Sequence, residues 1–133
     1  MHSIVSKKLL ELFAGSRSIG KAAEERGVEV FSSDIEPFEK IDYVVNILEF
    51  DVTKVPFIPD IIWASPPCTF FSVASIGTHW HVDNTPKTPQ AQLGIYIVQK
   101  TLEIIDYFKD QAINMAGGGV KYQLYLLKIH GVN

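Results

Sequence analysis

A short apolar run, Leu9-Leu10-Glu11-Leu12-Phe13, passes directly into Ala14-Gly15-Ser16-Arg17 and then into a helical pattern. No other stretch of the chain restricts the possible folds as much. The run reads as a buried strand and the glycine segment as a turn. Ile19, Ala22, Ala23 and Arg26 follow at helical spacing, with Ser16 or Ser18 as the expected cap. Gly27 is placed to end that helix in a left-handed conformation. Val28 to Ser33 is a second strand that ends at Asp34. Strand, helix and strand in this order predict a parallel pair with the helix packed on one face.

The rest of the chain extends the pattern. Ile35 to Lys40 is irregular, with Pro37 as a breaker. Tyr43-Val44-Val45 is a third, short strand ending near Asn46. Asp60-Ile61-Ile62-Trp63-Ala64 is a fourth, stopped by Ser65-Pro66-Pro67. A long loop runs from Cys68 to about Lys87. Thr88 is the expected cap of the next helix, with Pro89 at its first position. On that helix Leu93, Ile97, Val98, Ile104, Ile105 and Phe108 form an apolar stripe. After Phe108 the pattern decays. Gly117-Gly118-Gly119 is a break, and Lys121 to Ile129 is a candidate strand. The predicted architecture is α/β, a mostly parallel Rossmann-like sheet in one domain over residues 1–133. The pattern holds over 1–108 and diverges over 109–133, so the sheet is expected to be incomplete on its C-terminal side. An open sheet edge invites a second polypeptide or another copy of the chain.

Composition excludes several alternatives. A chain of 133 residues, 47% hydrophobic and 20% charged, suits one globular domain with a real core. No apolar run is long enough to span a bilayer. The segment Met1 to Lys8 lacks the pattern of a secretory signal, so a cytoplasmic location and no membrane partner are expected. A single cysteine leaves no intramolecular disulfide to form. The net charge of -3 shows no basic excess for gripping phosphates. A nucleic-acid surface would have to be small and local, or be supplied by another segment or partner.

In a parallel α/β sheet, ligands bind beyond the carboxyl ends of the strands. Three chemically distinctive places fall there: Phe13 to Arg17, Asp34, and Pro66 to Cys68. Phe13 to Ser18 joins a strand, a glycine turn and a helix start, a setting that offers backbone N–H groups to a polar ligand. The full G-x-G-x-x-G fingerprint is absent, because Arg17 stands where a second glycine would be. An ordinary βα turn is the alternative. Asp34 can accept hydrogen bonds from ribose hydroxyls, or it can be a solvated Asx turn. Cys68 follows two prolines directly after a strand, which suits a directed nucleophile better than a buried core thiol. His79, His81 and Asp83 lie in the same loop, but their spacing matches no common zinc pattern, so no metal is expected.

These residues resemble a known family. Leu10-Glu11-Leu12-Phe13-Ala14-Gly15 is similar to the first motif of the cytosine-5 DNA methyltransferases. Trp63-Ala64-Ser65-Pro66-Pro67-Cys68-Thr69-Phe70-Phe71-Ser72 resembles their Pro-Cys motif. The likeness runs from about Leu9 to Phe108 and looks closest to short phage- and prophage-type members. It implies S-adenosyl-L-methionine (AdoMet) as cofactor and cytosine-containing DNA as substrate, in a bacterial or phage-infected cell. Phe13, Ala14, Gly15, Ser16 and Ser18 would hold AdoMet together with Pro66. Asp34 would hold the ribose, with Ile35 beside the adenine. Asn46-Ile47 resembles the third motif, where the family has Asp in place of Asn46. Cys68 would attack C6 of a flipped cytosine, and the loop after it would act as a lid.

The sequence also departs from the family. Lys109-Asp110-Gln111-Ala112-Ile113-Asn114-Met115 stands where the family carries a Glu-Asn-Pro or Glu-Asn-Val motif. The arginine motif and the target-recognition region are not found either, which suggests a truncated member and leaves the DNA target illegible. Two further expectations stand beside an active methyltransferase. One is a non-catalytic AdoMet-binding remnant or subunit of a split enzyme. The other is an unrelated thiol enzyme on a nucleotide-binding fold.

Overall fold

The computed structural model describes residues 7–66, 89–115 and 124–127. Five strands form one sheet: β1 (Lys8–Leu12), β2 (Glu29–Asp34), β3 (Tyr43–Val44), β4 (Ile61–Ala64) and β5 (Leu124–Leu127). Their order is β3-β2-β1-β4-β5. Every neighbouring pair is parallel, with Leu9 opposite Val30 on one side and Ile61 on the other. This is the 3-2-1-4-5 order of a Rossmann-like sheet. The expected class is therefore correct, and the candidate strand within Lys121 to Ile129 is β5.

β1 is central, and Leu9, Leu10, Glu11 and Leu12 are all buried. A strand covered on both faces needs such a run. Side chains alternate between the faces. Leu10 and Leu12 join Ile62 and Ala64 of β4 in the main core. The helix α2 (Pro89–Met115) supplies Ile104 and Phe108 to that core. Ile47, Phe50 and Val55 complete it from the segment between β3 and β4. Each fully buried large side chain contributes roughly 1.5–3 kcal/mol.

That segment is built from two 3-10 turns, Ile47–Glu49 and Val52–Lys54. Asn46 caps the first by accepting from Leu48 N–H at 3.0 Å. Asp51 caps the second by accepting from Thr53 N–H at 2.9 Å. Without its own regular hydrogen-bond ladder, the segment depends on these caps to place Ile47 and Phe50 under α2.

The helix α1 (Ser18–Glu24) differs from the sequence expectation at its start. Neither Ser16 nor Ser18 caps it. Arg17 holds the cap position in a left-handed conformation, φ 62°, and the two serine hydroxyls pair with each other at 3.0 Å. Ile19 is 37% exposed, and the buried residue of the helix is Gly20. Gly20 is required there, because a Cβ would strike the Glu11 carboxylate. The far end behaves as expected. Gly27 has φ 78°, Gly27 N–H bonds Glu24 O at 3.0 Å, and Val28 N–H bonds Ala23 O at 3.1 Å. This is a Schellman closure.

α2 extends beyond Phe108, the point after which the sequence pattern decays. The helix continues to Met115 and buries Ala112. Its apolar stripe has two destinations. Ile104 and Phe108 enter the core, whereas Leu93 stays 44% exposed and turns toward the carboxyl edge of the sheet. Thr88, the expected cap, lies outside the described residues.

Candidate functional site

At the carboxyl edge of β1, β2 and β3 the described residues enclose a cavity of about 420 Å³. Its apolar walls are Phe13, Ile35, Val45 and Ile47, closed on one side by Leu93 and Ile97 of α2. Its polar groups are Ser33, Asp34, Asn46 and Ser65. A mostly apolar cleft of this size with a few polar groups is the usual form of a small-molecule site.

Phe13 reaches the cavity because the chain turns sharply after β1. Phe13, Gly15 and Arg17 all have positive φ, at 56°, 55° and 62°. Glycine adopts this freely, but phenylalanine and arginine do so at a cost and need the surroundings to hold them. Two backbone bonds to β2 help: Ala14 N–H donates to Ser33 O at 2.9 Å, and Gly15 N–H donates to Asp34 Oδ2 at 2.8 Å. Arg17 N–H closes the turn onto Ala14 O at 2.8 Å.

Asp34 is thus a structural anchor as well as a cavity residue. Its Oδ1 accepts from Glu36 N–H at 2.9 Å while Oδ2 accepts from Gly15. Each carboxylate oxygen can accept a second bond, so the fixed carboxylate still offers acceptors to a ligand. Asp34 therefore forms the Asx-type turn and also lines the cavity. Asn46 behaves similarly. Its Oδ1 is engaged by Leu48 N–H, which identifies the oxygen end of the amide and leaves its NH₂ for another partner.

Of the residues singled out in the sequence, Phe13, Asp34, Ile35, Asn46 and Ile47 come together on this cavity. Ala14, Gly15, Ser16 and Ser18 form the adjoining turn and helix start without lining it. Pro66 is buried just past β4, and its neighbour Ser65 lines the cavity instead. Cys68 lies outside the described residues, as do His79, Trp80, His81 and Asp83. Among the described residues no group of His, Cys, Asp and Glu could hold a metal ion. Sequence reasoning missed Ser33, Val45, Ser65, Leu93 and Ile97 as cavity residues. Three carried a usable signal: Ser33 and Val45 flank predicted strand ends, and Leu93 opens the predicted stripe.

A protein of Frog virus 3 (isolate Goorha) named "Probable DNA (cytosine-5)-methyltransferase" is 34% identical to this chain over 107 residues. The match covers 77% of the chain and 49% of the viral protein, so the chain spans about half the length of that relative. No family model matches the chain. No solved structure matches it.

Proposed function

Because the chain belongs to the cytosine-5 DNA methyltransferase family, we propose that its carboxyl-edge cavity binds AdoMet and that Cys68 is the nucleophile of methyl transfer to cytosine in DNA. The observation that carries the proposal is the convergence of Phe13, Asp34, Ile35, Asn46 and Ile47 on one cavity. Motif likeness points to those residues for the cofactor, and they meet from three separate strand ends.

The donor set suits an adenosyl group. Asp34 keeps acceptor positions for two ribose hydroxyls while its backbone bonds hold it still. Ile35 and Ile47 provide apolar surface for a purine, with Phe13 as a further wall. Asn46 offers an amide to the purine edge. AdoMet, when bound, supplies a methyl group activated on a sulfonium.

The chain's own chemistry rests on Cys68, three residues after the cavity residue Ser65. The thiolate adds to C6 of a flipped cytosine, and the electron pair released toward C5 makes that carbon nucleophilic. C5 would then be placed to accept the methyl group that bound AdoMet would supply, the S–CH₃ bond breaking and the sulfonium leaving as a neutral thioether. A base then removes the C5 proton, the C6–sulfur bond breaks, and the thiolate is regenerated. Addition at C6 benefits from protonation at N3, and general-acid help is typically worth about 10²–10⁴-fold. The glutamate that the family uses for this has no counterpart in Lys109 to Met115. Another segment or polypeptide is the proposed source of that acid and of DNA recognition, and the cytoplasm of a bacterial or phage-infected cell is the proposed setting.

The test is titration calorimetry of AdoMet into the purified chain, with Asp34→Ala alongside. Saturable binding, weakened about tenfold or more in the variant through loss of bonds to a charged group, supports the proposal. A folded chain that takes up no AdoMet overturns it. Transfer of labelled methyl to cytosine-containing DNA, lost in Cys68→Ser, tests the catalytic part.

A further inference from the structure

Glu11 and Arg17 are the two buried charged residues of the described structure, with side chains 2% and 3% exposed. The methyl-transfer chemistry uses neither. Both are hydrogen-bonded. Glu11 Oε2 accepts from Gly20 N–H at 2.9 Å, and Oε1 accepts from the Ser32 hydroxyl at 2.9 Å. Ser32 Oγ in turn accepts from Arg17 Nε at 2.9 Å, and Arg17 Nη2 donates to Glu24 at 2.5 Å. Arg17 Nε also stands 4.0 Å from Glu11 Oε1. One hydroxyl therefore bridges a buried carboxylate and a buried guanidinium.

Besides the Ala14–Ser33 backbone bond, the turn from Phe13 to Arg17 is fastened to side chains of β2 at two points. Gly15 is held on Asp34 and Arg17 on Ser32. Ser32 and Asp34 are alternate residues and so share a face of the strand. The Arg17 fastening also explains a backbone that arginine would otherwise avoid, since φ 62° is stable only where the surroundings determine it.

We propose that Arg17 is a positioning residue for the cavity: clamped by Ser32, Glu11 and Glu24, it locks the turn that keeps Gly15 N–H on Asp34 and so fixes the orientation in which Asp34 meets a ribose. The ligand half of this rests on the AdoMet reading above. The turn half does not.

The test is built on that separation. Arg17→Gly accepts the same φ without a side chain. Glu11→Gln/Arg17→Gly removes the orphaned buried charge as well, so that a folded variant is obtained. Hydrogen exchange and the proton shift of the Gly15 amide are read by NMR without ligand, with Leu10 N–H as an internal reference in the central strand. Exchange at Gly15 should rise about tenfold or more, as for a lost bond to a charged group, and its shift should move upfield while Leu10 is unchanged. Arg17→Lys keeps a cation but not the planar fork, and should restore the protection only in part. Gly15 protection at the wild-type level in the folded variants overturns the proposal. AdoMet affinity is measured in parallel and should weaken about tenfold as the turn loosens. A wild-type chain that binds no AdoMet sinks the cofactor reading, and the Gly15 exchange then decides the role of Arg17 alone. Unchanged AdoMet affinity beside a loosened Gly15 overturns the link to the ligand.

Discussion

The two faces of β1 are held by opposite kinds of force. On one face Leu10 and Leu12 meet Ile62, Ala64, Ile104 and Phe108 with no polar partner in the cluster. On the other, Glu11 meets Gly20 N–H and Ser32, with Arg17 close by. Apolar burial is strong and non-directional. Buried charge is costly unless paired, and hydrogen bonds fix angles as well as distances. The α2 face therefore supplies cohesion. The α1 face supplies position, and the strained turn and Asp34 lie on its side of the sheet. A strand next to a ligand site benefits from both, because cohesion alone would let the turn drift.

The largest expected effect lies on the cohesive face. Phe108→Ala should lower stability by about 3–5 kcal/mol, as for other buried aromatics. In urea this appears as a lower midpoint with the slope unchanged. Ser32→Ala should cost less, about 1–3 kcal/mol, because Glu11 and Arg17 lose a shared partner but remain close enough to approach each other. It should, however, expose the Gly15 amide more than Phe108→Ala does at equal distance from each variant's midpoint. If the two variants loosen Gly15 equally under that matching, the division of labour between the faces is broken.

The sequence made the cohesive face far more legible than the positional one. Leu9 to Phe13 reads as a buried strand because near-continuous apolar runs suit parallel sheets. Asp34 reads as a strand-end acid, and Gly27 as a left-handed helix end, from local chemistry alone. Glu11 sits inside the same run, yet nothing near it in sequence reveals its partners. Gly20 is nine residues away and Ser32 twenty-one. Arg17 interrupts a glycine pattern in the sequence, whereas in the fold its long side chain is bonded to Ser32 and Glu24 beside the positive φ. The serines flanking it have cap-forming chemistry, but the left-handed backbone at Arg17 displaces them from that role. The continuation of α2 past Phe108 was hidden for a related reason. Lys109, Asp110 and Gln111 interrupt the stripe, and Ala112 restores the inward face with a side chain too small to mark it.

A second hydroxyl–carboxylate pair isolates what burial adds. Thr53 Oγ1 donates to Asp51 Oδ1 at 2.6 Å, shorter than the 2.9 Å bond from Ser32 to Glu11, but Asp51 and Thr53 are exposed. The Thr53 hydroxyl, followed by Thr53 N–H, holds the Asp51 carboxyl below its ordinary value. A lowered folded value means stability that is present above the unfolded value and lost as pH falls through the folded one. Thr53→Val should therefore raise the Asp51 midpoint toward the ordinary range, as followed by carboxyl NMR. Its stability deficit should be the smallest of the three variants, visible at neutral pH and vanishing in acid once Asp51 is protonated in both proteins. A Thr53→Val deficit as large as that of Ser32→Ala would show that bond length, not removal from water, sets the strength of these pairs. Glu11 would then need no burial to hold the turn, and the contrast between the two faces would reduce to one of geometry.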